Sequence, residues 1–214
     1  MRKSNNSFQT KTLKRSHVRF IERLGRLMEE DNRFFTTREF MYPHDFVGEN
    51  PTYRQGKYDL RDELKVLTVG EAPHTCEAKK QPKGFKLSEK GLYFYELIEQ
   101  IRTIDPNYKG YPPALVCLIT YASKLQSEGK YLSFPMYREV IGYELKVKPR
   151  KVNVQDIIRN YDAYYGCDQL FTKISYRDVD KTCHWSTCGF KITEKAMKLS
   201  PLLEKMSEGF KLLE

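Results

Sequence analysis

Apolar residues recur every three to four positions over residues 14–31, where Val18, Ile21, Leu24 and Met28 line one side with Phe20 and Leu27 beside them. That spacing predicts a helix with one broad buried face. Asp31 and Asn32 end it. Thr36-Thr37-Arg38-Glu39 follows as a capping box, opening a short helix that stops near Pro43. The loop-forming residues Pro43, Gly48, Pro51 and Gly56 lead into a third predicted helix over 57–67. Its Leu60, Leu64 and Leu67 share one face, and Lys57, Arg61 and Lys65 share another. Residues 72–79 and 84–88 read as a hairpin around the turn sequence KKQPKG. Ser88 caps the next helix, whose buried stripe is Phe94, Leu97, Ile98, Ile101 and Ile104.

Three prolines and a glycine then break the periodicity over 105–113, and the second half repeats the order. A helix is predicted over 114–126, with Leu115, Leu118, Ile119, Ala122 and Leu125 inward. Ser133 caps a short helix stopped by Gly142, and Asn153 caps one with Val154, Ile157, Ile158 and Tyr161 inward. Strands are expected in 171–185 and 189–193. A closing helix carries Leu199, Leu202, Leu203, Met206, Phe210 and Leu213, and is expected to break or kink at Ser200-Pro201.

The two halves also match letter by letter. Residues 84–101, GFKLSEKGLYFYELIEQI, align without a gap to residues 189–206, GFKITEKAMKLSPLLEKM. Gly84/Gly189, Phe85/Phe190, Lys86/Lys191, Glu89/Glu194, Lys90/Lys195, Leu97/Leu202 and Glu99/Glu204 are identical, and Thr75-Cys76 upstream answers Thr182-Cys183. A match at about half the chain length points to one small domain used twice. The expected division is a basic arm over 1–13, domains over 14–104 and 114–214, and a linker over 105–113.

Charge narrows the partners. The chain carries a net charge of +9 and a pI near 9.2, an excess that attracts polyanions. Arg2, Lys3, Lys11, Lys14, Arg15 and Arg19 precede the first acid, Glu22, so the arm is suited to tracking phosphates. There is no lipid-anchor motif and no apolar run of the length a bilayer span needs, so nucleic acid is favoured over a membrane. The opening residues lack the apolar core of a secretory signal, which gives a cytoplasmic expectation. Five cysteines do not form an even disulfide framework; Cys76, Cys117 and Cys167 read as small buried hydrophobes. Cys183, His184 and Cys188 begin a possible zinc set that lacks a fourth ligand nearby, so no metal or other cofactor is expected.

The phrase GFKLSEKG, with Phe85, Leu87, Ser88 and Gly91, resembles the end of the wing in the winged helix-turn-helix superfamily, where a strand ending Y/F-x-L-T-x-x-G runs directly into a helix. Phe190, Ile192 and Thr193 carry the resemblance in the second copy, where Ala196 replaces the final glycine. The resemblance implies an α+β, mainly helical chain of two tandem winged-helix domains, each with three helices, a hairpin wing and a closing helix. Such tandem domains are similar to plasmid and phage replication initiators and to winged-helix transcription regulators. The implied function is sequence-specific, non-catalytic binding of double-stranded DNA, associated with the nucleoid, by a monomer acting as a pseudo-dimer or by a homodimer. Arg54, Lys57, Arg61 and Lys65 would lie around the first recognition helix, with Lys79, Lys80 and Lys83 on its wing. Lys148, Arg150, Lys151, Gln155, Arg159 and Asn160 would serve the second. Arg, Gln and Asn make paired hydrogen bonds to base edges, whereas wing lysines act on phosphates.

Two alternatives stay open. Asp59 or Asp62, followed by Glu77-Ala-Lys79, resembles the metal-binding acids and lysine of the PD-(D/E)XK nucleases, which would make the chain a Mg²⁺-dependent enzyme. Winged helices also serve as protein-binding modules, for example as phage-encoded inhibitors of a host complex.

Overall fold

The computed structural model describes residues 11–40, 58–73, 81–131, 170–175 and 188–211, with positions 138, 139, 142 and 148. Over these residues the chain is α+β and mainly helical, with two antiparallel two-stranded sheets. It forms two compact units. The first comprises Leu13–Gln100 with Glu208–Glu214, and the second Met1–Thr12 with Ile101–Ser207.

In the first unit, α1 (Arg15–Glu30) buries Val18, Phe20, Ile21 and Leu24, as the periodicity requires. The chain then extends, and Phe35 forms a one-residue bridge to Phe85 through bonds of 3.0 and 2.8 Å. The expected capping box opens α2 (Thr37–Phe40) from the glutamate side: the Glu39 carboxylate accepts the Thr36 N–H at 2.7 Å and the Thr36 hydroxyl at 2.8 Å. Phe40 packs edge-on against Phe20 and Phe85, at 6.1 and 5.9 Å between ring centres.

The third predicted helix is shorter than its leucine spacing implied. A π-helical turn, α3 (Asp59–Glu63), ends at Leu64, and Leu67 opens strand β1 (Leu67–Glu71). Lys65 takes the left-handed conformation, φ 53°, while the Val66 N–H reaches back to the Leu60 carbonyl at 2.9 Å. A left-handed residue just past the last turn is a common helix stop. Leu60 and Leu67 are both buried, one on a helix and one on a strand, and so short an apolar run does not separate the two periods. Of the expected hairpin, the second strand falls where expected, whereas the first lies over Leu67–Glu71 and ends before residue 72, where it was expected to begin. Strand β1 pairs with β2 (Lys83–Leu87) from Leu67↔Leu87 to Glu71↔Lys83. Gly70 and Gly84 lie opposite each other beside Phe34: a Cβ on Gly70 would overlap the Phe34 ring, and one on Gly84 the Cβ atoms of Phe34 and Ala72.

Strand β2 runs through Ser88 into α4 (Glu89–Ile104). The Ser88 hydroxyl accepts the Gly91 N–H at 3.2 Å and donates to the Lys65 carbonyl at 2.8 Å, which makes the expected cap and ties it to the end of α3. A Cβ at Gly91 would overlap the Val66 carbonyl oxygen. Phe94, Leu97 and Ile98 are buried as expected, and Phe210 tilts against Phe94 at 5.0 Å.

In the second unit, the stretch 105–113 alternates exposed residues with buried ones. Asp105, Tyr108 and Tyr111 are each 1% exposed. The Asp105 carboxylate accepts the Tyr111 hydroxyl at 2.7 Å and pairs with Lys195 at 3.1 Å, and the two tyrosine rings meet edge-on at 4.7 Å. The prolines stop the helix but leave the tyrosines free to fill the core. Helix α5 (Pro113–Ser127) buries Leu115, Leu118, Ile119 and Ala122, together with Cys117. Gly142, expected to stop a helix, is itself helical; the expected helix after Asn153 lies outside the described residues. Strands β3 (Phe171–Ser175) and β4 (Cys188–Ile192) pair from Phe171↔Ile192 to Ser175↔Cys188.

Helix α6 (Glu194–Gly209) then runs through Pro201 without the expected break. A proline inside a helix deprives the carbonyl four residues back, here that of Met197, of its partner, at a cost of about 3 kcal/mol. Burial of Leu199, Leu203 and Met206 on the same helix opposes that loss, at about 1.5–3 kcal/mol per large apolar side chain.

The two strand-to-helix junctions are built alike. The Ser88 N–H donates to the Val66 carbonyl, and the Thr193 N–H to that of Leu170, each at 3.0 Å. The helix that opens each copy also touches the same strand position. Gln126 of α5 bonds both backbone groups of Ile192 at 3.0 Å, while in the first copy the Met28 sulfur receives the Leu87 N–H at 3.2 Å.

Two predictions follow from this packing. Gly91→Ala should destabilise the first unit by about 1–3 kcal/mol, because overlap with the Val66 carbonyl outweighs the helix preference for alanine. Ala196→Gly should cost only about 1 kcal/mol; urea titration of both variants checks the asymmetry. The second concerns pH. Burial opposes ionisation of Glu39, but hydrogen bonds from Arg33 and from Thr36 outweigh it and hold the carboxyl below its usual range. A depressed carboxyl stabilises the fold above the unfolded carboxylate range, and that stabilisation disappears as pH falls through the lowered folded value. Glu39→Gln should therefore lower the melting temperature at pH 7 and converge on the parent in acid.

Candidate nucleic-acid interface

Of the expected DNA-contacting residues, Arg61, Lys65, Lys83 and Lys148 lie among the described ones. Arg54, Lys57, Lys79, Lys80, Arg150, Lys151, Gln155, Arg159 and Asn160 lie outside them. Cys183, His184, Glu77 and the Lys79 of the nuclease alternative also fall outside, while Cys188 belongs to β4.

The short turn α3 is anchored from below and open above. Its first residue, Asp59, is buried, and its carboxylate pairs with Lys14 at 2.8 Å, with the buried His17 ring nitrogen Nε2 3.5 Å away. Burial, and then the Lys14 charge, push the His17 pKa below the ordinary imidazole value against the pull of Asp59, so at neutral pH the ring is uncharged. The Lys14 backbone N–H donates to the other ring nitrogen at 3.4 Å, fixing the start of α1. One of the two acids considered as metal ligands is thus committed to holding α3 against α1.

Above this anchor, Arg61 and Asp62 make a two-bond pair. Arg61 Nε donates to Asp62 Oδ1 and Nη2 to Oδ2, both at 2.6 Å. The guanidinium carbon sits 5.1 Å from the centre of the Tyr58 ring, a cation–π contact. Hydrogen bonding to Asp62 raises the Arg61 pKa, and the same bonds lower that of Asp62. The pair is exposed, so it adds little to stability.

Lys65 was expected on the α3 face beside Arg61. It lies past the end of the helix instead, exposed and left-handed, because the reversal into β1 occurs at this residue. Lys83 is exposed at the start of β2, opposite Glu71 in the register. Lys148 is exposed. Charge around helices and turns does not single out Lys86, whose ammonium donates to the Asn32 carbonyl at 2.8 Å and lies 5.0 Å above the Phe34 ring. Nor does it single out Lys191, the exposed counterpart on β4. Their identity in the two copies was the available signal. Tyr58, 40% exposed, was missed as well.

Among the described residues no group of three or more His, Cys, Asp and Glu is placed to hold a metal ion, and no helix is long and apolar enough to cross a membrane. Comparison with protein-family models, curated proteins and solved structures finds no match to this chain.

The left-handed backbone at Lys65 gives a direct test of this geometry. A side chain there carries roughly 1 kcal/mol of strain that glycine lacks. Lys65→Gly should leave stability unchanged or raise it by up to about 1 kcal/mol, read from the urea midpoint; a clear loss would contradict the assigned turn.

Proposed function

We propose that the chain is a tandem winged-helix protein that binds double-stranded DNA without cutting it, in transcriptional control or replication initiation. The observation that carries this reading is the element order of the first unit. A helix, a short helix, the α3 turn, a hairpin and a strand-capped closing helix follow one another, and the same strand-to-helix junction recurs in the second copy. The net charge of +9 supplies attraction to phosphates. Arg61 and Lys65 then belong to the DNA-facing side of the first copy, with Lys83 and Lys86 on its hairpin. Gln155, Arg159 and Asn160 are the corresponding readers of the second. Two linked modules raise affinity because the second contact is intramolecular, and two different readers favour an asymmetric site.

Selection from a random duplex library at about 150 mM salt with Mg²⁺ present tests the reading, with retained and cleaved molecules both sequenced. A single long or bipartite motif is expected. Cleavage would favour the nuclease alternative and direct attention to Glu77; no retention would favour a protein partner. If about six to ten phosphates are neutralised, affinity should fall roughly 10³- to 10⁵-fold between about 50 and 200 mM salt. Deleting residues 1–10, which leaves the buried Leu13 and the Lys14 anchor in place, should weaken binding to all duplexes alike, measured by fluorescence anisotropy.

A further inference from the structure

The Arg61–Asp62 pair has a geometry that fits one base. A guanidinium carries five N–H donors in a fixed planar fork. Asp62 takes one from Nε and one from Nη2, so the edge formed by Nη1 and Nη2 still presents two parallel N–H groups. Among the described residues no acceptor engages that edge. Tyr58 supports one face of the plane, with its ring centre 5.1 Å from the guanidinium carbon. The fork is therefore held along one edge by the carboxylate and on one face by the ring, on a turn itself fixed by the buried Asp59. Guanine is the base that offers two acceptors, O6 and N7, side by side in the major groove.

We infer that Arg61 reads a guanine in duplex DNA, and that Asp62 is a positioning residue that aims the guanidinium rather than a surface partner that merely neutralises it. This inference rests on the DNA-binding reading above. Its energetic logic is specific. An exposed ion pair contributes little to folding, and a carboxylate beside a phosphate backbone opposes non-specific binding. Asp62 therefore lowers affinity for any duplex while sharpening choice at one position. Holding the long arginine side chain in place beforehand also reduces the entropy lost on contact.

The test uses the full chain, the random duplex library, and the variants Arg61→Lys and Asp62→Asn. Base preference is read at each position, with affinity for a random-sequence duplex measured separately. Lysine lacks the fork, so Arg61→Lys should flatten a guanine preference at one position by roughly tenfold, within the range a bidentate contact gives. Asp62→Asn should flatten the same position, by roughly threefold or more, while affinity for random duplex stays constant or rises. Melting temperatures should match the parent for both variants, since both side chains are exposed.

A sharper guanine preference in Asp62→Asn would make Asp62 a competitor for Arg61 and overturn the inference. Equal losses of specific and random-duplex affinity would give it a structural role and do the same. If the parent selects a motif that Arg61→Lys leaves intact, DNA binding stands and this inference fails. If the parent retains no duplex, both fall together.

Discussion

The constraint on which both units depend is a single backbone hydrogen bond where the second hairpin strand becomes a helix. In each copy the residue after the strand, Ser88 or Thr193, gives its N–H to the carbonyl of a fully buried residue, Val66 or Leu170, just before the first hairpin strand. The bond closes the hairpin at its base and fixes where the helix begins. In the first copy the Ser88 hydroxyl adds two further ties, one into the helix and one back to Lys65. A backbone amide at such a buried junction is costly to leave without a partner, which explains why so short a phrase is kept in register between the copies. The helix, hairpin and preceding turn all take their positions from this point.

The copies differ where they meet neighbouring elements. At the position occupied by the Met28 sulfur, Gln126 offers both a donor and an acceptor and engages both backbone groups of Ile192. Gly91 leaves no room for a Cβ against Val66, while the second copy accommodates the buried Ala196 at the aligned position. Lys195 pairs with the buried Asp105. The units therefore share a frame and carry different packing solutions, consistent with two surfaces that make different contacts.

Burial separates the roles of the charged residues. Asp59 and Asp105 are almost fully enclosed, and each meets an amine and a further polar group. Removing one partner would strand a charge in the interior, which is strongly destabilising. Arg61 and Asp62 sit one turn position away from Asp59 but face water. There an ion pair costs and contributes little, so its geometry is available for recognition.

The amino-acid sequence by itself determined the elements with strong local signals. Helices α1, α4 and α5 follow from apolar residues at helical spacing over four turns or so, Ser88 follows from its capping chemistry, and the second strand of each hairpin lies in the repeated phrase that runs into a helix. The repeat was legible because aligned identities do not depend on any structural assumption. Only the tertiary structure decided what short-range signals leave ambiguous. Leu60 and Leu67 satisfy a helix and a strand equally, and the reversal at Lys65 separates them. Pro201 reads as a break until the burial of its neighbours is known. Residues 105–113 read as a linker because prolines report local stiffness, whereas the burial of Tyr108 and Tyr111 depends on partners such as Met206, far along the chain. The candidate site divides in the same way: charge marked Arg61 from the sequence, but the direction of its guanidinium depends on Asp62 and Tyr58 meeting it on a π-helical turn.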